Sequence, residues 1–153
     1  AFISGDPEHP DAVDRQQGYR SAIDAAGLRF DPALVAPGNF SEHSGLLAVE
    51  RLLDSRTRFN AIFAANDQMA FGASLGLYRR GLRVPDDVSM VGFDDVAGSL
   101  YMVPPLTTVH NPIQEIGELA ARAMLSLLAG ERPAVEVPAP RLIVRESTRA
   151  AAP

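Results

Sequence analysis

The chain has 153 residues, 46% of them hydrophobic, and a formal net charge of −5 at pH 7. That size supports one ordinary hydrophobic core or slightly more, and the acidic balance gives no electrostatic footprint for nucleic acid. Cysteine is absent and all 14 basic residues are arginines, which removes disulfides, thiol nucleophiles, Schiff-base chemistry and a phosphate-binding lysine. No stretch has the length of a membrane span or the character of a secretory leader, so no membrane partner and a cytoplasmic location are expected.

Residues 1–5 (AFISG) read as a strand and 6–11 (DPEHPD) as a turn-rich loop. A helical pattern follows, with Ala12, Tyr19, Ala22, Ile23 and Ala26 on one face and Gly27 closing it; Arg15 and Gly18 lie on its first turns. Residues 34–36 read as a short second strand. Ser41 is placed to cap a helix with Gly45, Leu46, Val49, Leu52 and Leu53 inward. Glu42 in its first turn and Arg51 and Arg56 near its end suit the helix dipole.

The apolar runs 61–65 and 88–93 then flank a third helical pattern, with Asp67 as its cap and Met69, Ala70, Ala73 and Leu77 inward. Strand, helix, strand is a βαβ unit, whose crossover is right-handed. A threonine-rich strand follows over 106–109. Asn111-Pro112-Ile113-Gln114 opens a helix, with Asn as cap and Pro at the first helical position. Its stripe is Ile113, Ile116, Ala120, Ala123, Met124 and Leu127, and Gly130 stops it. Residues 135–137 and 142–144 read as short strands, and 150–153 as a frayed tail. The fold class is α/β, a parallel sheet flanked by helices on both faces.

One enzyme motif stands out. Gly72-Ala73-Ser74-Leu75-Gly76 fits the G-x-S-x-G nucleophile elbow, which needs a strand directly before the serine. Ser74 instead lies well inside a helical pattern, and none of His9, His43 and His110 is placed to serve it; the motif is a decoy. The histidines lack metal-ligand spacing, and no cofactor or metal is expected. Asp67, Asp94 and Asp95 at strand ends suggest a phosphoacceptor pocket, but that pocket needs a lysine. Asp67 is better read as a helix cap, and Asp86-Asp87 as a turn.

The strand-end set remains: His9, Asp11 and Arg15 after the first strand, Asn66 after another, Asp94 after a third. In open parallel sheets ligands sit beyond the carboxyl ends of strands. Carboxylates, an amide and an arginine fork suit the hydroxyls of a sugar, and Phe40, on a loop, is available to cover a ring face. On spacing alone, a ligand site and a purely structural role both stand.

Arg15-x-x-Gly18, FAANDQMAFGA at 63–73, VPDDVSMVGFDD at 84–95 and PPLTTV at 104–109 occur here in an order and spacing that resemble the effector-binding half of the lactose-repressor (LacI/GalR) family of transcription regulators. The resemblance spans essentially the whole chain. It implies a periplasmic-binding-protein-like fold of type I, two α/β lobes with a small-molecule effector, a sugar, between them. By the same resemblance Arg15 would hold effector hydroxyls or a carboxylate, Asn66 and Asp94 would bind hydroxyls, and Phe40 would stack on the ring. His9 and Asp11 occupy loop positions that vary with effector. Asn111 and Ile113 match positions at the crossing between lobes, with Ile113 replacing an aromatic found in some sugar-responsive members.

The resemblance further implies that residues 1–110 form the C-terminal lobe, 111–140 belong to the mostly missing N-terminal lobe, 141–149 return as a strand, and 150–153 are tail. The chain would then be a truncated piece of a homodimeric regulator that reaches DNA only through an N-terminal domain absent here. The helix after Asn111, deprived of its sheet, is expected to self-associate or repack. A periplasmic sugar-binding protein serving a transporter shares the fold and is the alternative; a serine hydrolase acting through Ser74 is a third reading.

Overall fold

The computed structural model describes residues 1–150, along which strand and helix alternate almost without interruption. β1 (Phe2–Ser4), α1 (Pro10–Ala25), β2 (Val35–Pro37), α2 (Glu42–Asp54), β3 (Ala61–Ala64), α3 (Asp67–Arg79), β4 (Ser89–Asp94), β5 (Thr107–His110), α4 (Ile113–Leu128) and β6 (Arg141–Ile143) follow in order. The strands form one sheet in the order β2-β1-β3-β4-β5-β6. All neighbours are parallel except β5 and β6, which are antiparallel. The chain steps from β1 outward to β2, then back across β1 to β3 and on to β4. With right-handed crossovers that reversal puts α1 on one face of the sheet and α2 and α3 on the other.

The core is built from Ile3, Val49, Leu52, Ile62, Met69, Leu77, Met90 and Leu106, all essentially inaccessible to solvent. On the α1 side, Tyr19 stacks on Phe2 with ring centroids 5.0 Å apart, and Phe2 meets Phe63. On the other side α2 and α3 pack through glycines. A Cβ on Gly45 would overlap the Met69 backbone, one on Gly72 the Glu42 carbonyl, and one on Gly76 the Val49 side chain. Gly72 and Gly76 thus belong to a helix-helix contact, and Ser74 sits mid-helix between them. The G-x-S-x-G match arises from packing.

Ser41 caps α2 as expected, its hydroxyl accepting from the Ser44 N–H. Other expectations are corrected. Asp67 does not cap α3; Asn66 does, its Oδ1 accepting from the Met69 N–H at 3.0 Å. The side chain of Asn111 does not cap α4. Pro112 holds that position, and only the Asn111 carbonyl takes part, accepting from the Ile113 N–H. Residues 135–137 form no strand, because Pro133, Pro138 and Pro140 interrupt the stretch and lack N–H donors. The second strand begins at Val35 and the last at Arg141, each one residue off the expected start. On α1 only Ala12 is buried. Ala22 and Ala26 are exposed because the helix outruns the three-residue strand it covers.

No residue of α4 is buried, and Ile113, Met124, Leu125, Leu127 and Leu128 are each more than half exposed. The helix has not repacked onto the sheet. Among the described residues no helix is long and apolar enough to cross a membrane. Of the expected tail, residues 151–153 lie outside the described residues.

Candidate functional site

The carboxyl ends of β1, β3 and β4 converge on Arg15. From α1 its guanidinium crosses the sheet edge. Nη1 donates to the Ala65 carbonyl at 2.5 Å and Nη2 lies 3.4 Å from Asp94 Oδ1, with Asp11 Oδ2 at 3.7 Å. The guanidinium plane lies over the Phe93 ring, 3.9 Å from its centroid, and 5.8 Å from that of Phe40. Its side chain is only 12% exposed. Carbonyl, carboxylate and ring together fix the fork in one orientation, so little side-chain entropy remains to be lost in any further contact it makes.

Phe40 reaches this place by an unusual backbone. Its φ is +67°, rare for a bulky residue, and its carbonyl accepts from Asn66 Nδ2 at 3.0 Å. The ring lies over Gly5, where any Cβ would overlap it, and meets the His9 ring edge-on with centroids 5.6 Å apart. Asn66 is itself buried. Its second N–H goes to Gln68 Oε1 at 2.7 Å, so its donors are engaged and one lone pair of Oδ1 is left over.

Asp94 and Asp95 both have positive φ, +107° and +57°. Two such residues in succession cost on the order of 1–3 kcal/mol each and send their carboxylates different ways. Asp94 faces Arg15. Burial pushes its carboxyl up to about 6; Arg15 opposes that, while Asp67 and Asp11 add to it. Asp95 faces β5 and the chain after β6, accepting from Arg145 Nη2 at 2.6 Å and pairing with His110 Nδ1 at 3.0 Å. Burial pushes it up, but these hydrogen bonds, Arg145 first, outweigh burial and hold it below the usual carboxylate range.

Behind both lies Asp67, fully buried, taking hydrogen bonds from the Val96 N–H and the Ser99 hydroxyl on one oxygen and the Thr108 hydroxyl on the other. Gly92 leaves the room, since a Cβ there would overlap Asp67 Oδ1. The buried carboxylate ties α3, the loop after β4, and β5 together.

Arg15, Asp94, Asp11, Asn66, Phe40 and His9 are thus brought to one sheet edge. Asn111 and Ile113 are not tied to them; among the described residues no side-chain hydrogen bond joins either to the set, and Ile113 is 61% exposed. Gln68, Phe93 and Arg145 escaped the sequence reading, while Asp67 and His110 were named in it without these partners. Arg145 is 50 positions from Asp95, and no local spacing signals such a pair. A hollow of about 270 Å³ on the flank of α1, lined by Val13, Arg20 and Phe30 among others, includes none of Arg15, Asn66 and Asp94.

Comparison with known proteins shows the family. The family described as periplasmic binding protein-like domain matches residues 1–148. The HTH-type transcriptional regulator AscG of Escherichia coli K12 is 37% identical over 148 residues, covering 96% of this chain and 44% of that protein. The HTH-type transcriptional regulator CelR of Thermobifida fusca is 40% identical over 149 residues, with the same coverage. The crystal structure of a sugar-binding transcriptional regulator of the LacI family from Escherichia coli, complexed with phosphate, superposes with a TM-score of 0.94 at 35% identity, over 99% of this chain and 55% of that one. This chain therefore spans about half the length of the relatives it matches. Those relatives are regulators, which favours that reading over a transport receptor. The chain belongs to the periplasmic binding protein-like domain family, in the form carried by LacI-type transcriptional regulators.

Proposed function

We propose that this chain is the effector-binding region of a LacI-type transcription regulator and that its effector is a sugar. Arg15, Asn66 and Asp94 contact hydroxyls, Phe40 covers a ring face, and His9 and Asp11 form the rim. Residues 1–110 and 141–149 make one lobe; 111–140 belong to a second, which brings Asn111 and Ile113 to the crossing. The whole protein acts in the cytoplasm as a homodimer, meets DNA through a domain outside this chain, and catalyses no reaction.

The observation that carries this reading is the Arg15 fork. It is nearly buried and held by Ala65, Phe93 and Asp94 at the carboxyl ends of the strands, with the polar side chains of Asp11, Asp94 and Asn66 gathered at the same edge. Relatives support the ligand class: one is named the ribose operon repressor of Escherichia coli K12, and CelR has been solved as a complex with cellobiose. An effector that prefers one arrangement of the two lobes shifts DNA affinity by its differential binding to them.

A thermal-shift panel on the full-length protein tests this, with cellobiose, ribose and glucose against adenine and amino acids. A sugar at a hundred times its Kd stabilises by about 2.7 kcal/mol. Stabilisation by purines or amino acids alone would overturn the sugar reading, and sugar binding unaffected by Arg15→Gln would overturn the site.

A further inference from the structure

The chain leaves the sheet for segment 111–140 at His110, the end of β5, and returns to it at Arg141, the start of β6, directly opposite His110 in the register. These two tethers meet at one carboxylate. Asp95 Oδ2 pairs with His110 Nδ1 on the outgoing strand, and Asp95 Oδ1 accepts from Arg145 just beyond the returning strand. Arg145 also donates from Nη1 to the Leu106 carbonyl at the start of the outgoing path, and its backbone N–H donates to Thr107 Oγ1. All three side chains are mostly buried, with Asp95 18% and Arg145 14% exposed. This is more than a surface ion pair, which would set no direction.

The clamp is continuous with the candidate ligand site through one peptide bond. Asp94 turns its carboxylate to Arg15 while Asp95 turns its own to the tethers, and both hold positive φ. Both residues hold sparsely populated backbone conformations that persist only because their surroundings maintain them, so a shift of the Asp94 backbone has few ways to be accommodated without Asp95. The loop that follows is pinned by Asp67 at Val96 and Ser99, which prevents it from absorbing the movement.

We propose that Asp95, His110 and Arg145 are positioning residues that clamp the two tethers of segment 111–140 and pass the state of the Arg15–Asp94 pair to them. This rests on reading 111–140 as part of a second lobe. In that setting the clamp sets the direction in which the lobe leaves the sheet, and a ligand that pulls on Asp94 or Arg15 changes that direction without touching the tethers.

The test uses this chain and no ligand, so a failure here is distinguishable from a failure of the sugar reading, which the thermal-shift panel decides. Arg15→Gln removes the charge that holds Asp94, and amide hydrogen exchange is read in peptides spanning 107–113 and 141–146. The expected result is at least a threefold change in exchange in those peptides and less in β1 and β2. That response should vanish when Arg15→Gln is made on an Asp95→Asn background, as coupled sites require. If Asp95→Asn does not fold, the same cycle is run on His110→Asn, whose amide N–H replaces the Nδ1 donor, and on His110→Ala. The response should survive the first and be lost in the second. No response in the otherwise unaltered chain, or one that persists without Asp95 or in His110→Ala, overturns the proposal.

Discussion

Adjacent carboxylates with opposite proton affinities show how much the surroundings of single residues decide. Asp94 is raised to about 6 from 3.8, first by burial, whereas Asp95 is held low by Arg145 and His110. A raised folded-state value means that the native state binds the proton more tightly. The stabilisation is fully present below pH 3.8 and is lost as pH rises through about 6. Above that, the charged Asp94 opposes folding. Asp94→Asn should therefore raise the unfolding midpoint at about pH 7.5, and the gain should disappear near pH 3. Sugar affinity should fall about tenfold or more, since hydrogen bonds to charged groups contribute about 1.5–3 kcal/mol. Scanning calorimetry at the two pH values and titration calorimetry measure both; an equal stability gain at both pH values would remove the linkage argument. Gly5 gives a second prediction at this scale. Gly5→Ala drives a methyl into the space of the Phe40 ring. The expected cost is about 1–3 kcal/mol of stability and, with the ring displaced, up to about tenfold in sugar affinity.

At the scale of elements, the α2–α3 contact separates what the sequence could reveal from what it could not. Helix existence, the Ser41 cap and the inward residues Met69, Ala70, Ala73 and Leu77 were legible, because periodicity and capping chemistry are local. The mechanical roles of Gly72 and Gly76 were not, because close approach depends on a partner helix that no spacing names. The same limit explains the caps. Asn66 and Asp67 are both good capping residues, and only the distant Val96, Ser99 and Thr108 decide that Asp67 turns inward. Arg15, Asn66 and Asp94 were legible as strand-end polar residues. Arg145 was not, its partner lying in a different strand-end loop. One measurement separates packing from chemistry in the G-x-S-x-G stretch. Gly72→Ala should cost about 3 kcal/mol or more, since the obstacle is backbone of α2 and cannot rotate away. Ser74→Ala should stay within about 0.5 kcal/mol. Denaturant unfolding of both variants decides it, and a costly Ser74→Ala with a mild Gly72→Ala would reverse the assignment.

For the whole molecule, the question is what segment 111–140 contributes to the body from which it projects. α4 buries none of its residues, and the stretch from 131 to 140 forms no regular structure. By contrast residues 145–149 are knitted back into the sheet. Ser147 donates to the Met90 carbonyl and accepts from the Thr107 N–H, while Glu146 and Ser147 N–H groups donate to the Pro105 carbonyl. The segment is thus an excursion between two paired residues, His110 and Arg141. Replacing 111–140 by Asn-Gly should turn β5 and β6 into an ordinary two-residue hairpin, since that dipeptide suits the primed turns matching strand twist. The shortened chain should fold with a stability within about 1 kcal/mol of the original, because almost no core burial is lost and the shorter loop is entropically cheaper to close. It should also be more soluble, having shed the exposed Met124, Leu125, Leu127 and Leu128. Circular dichroism melts and solubility limits of the two chains test this. A shortened chain that fails to fold would mean that 111–140 supports the sheet, and the division of the chain into one lobe and a segment of another would fall with it.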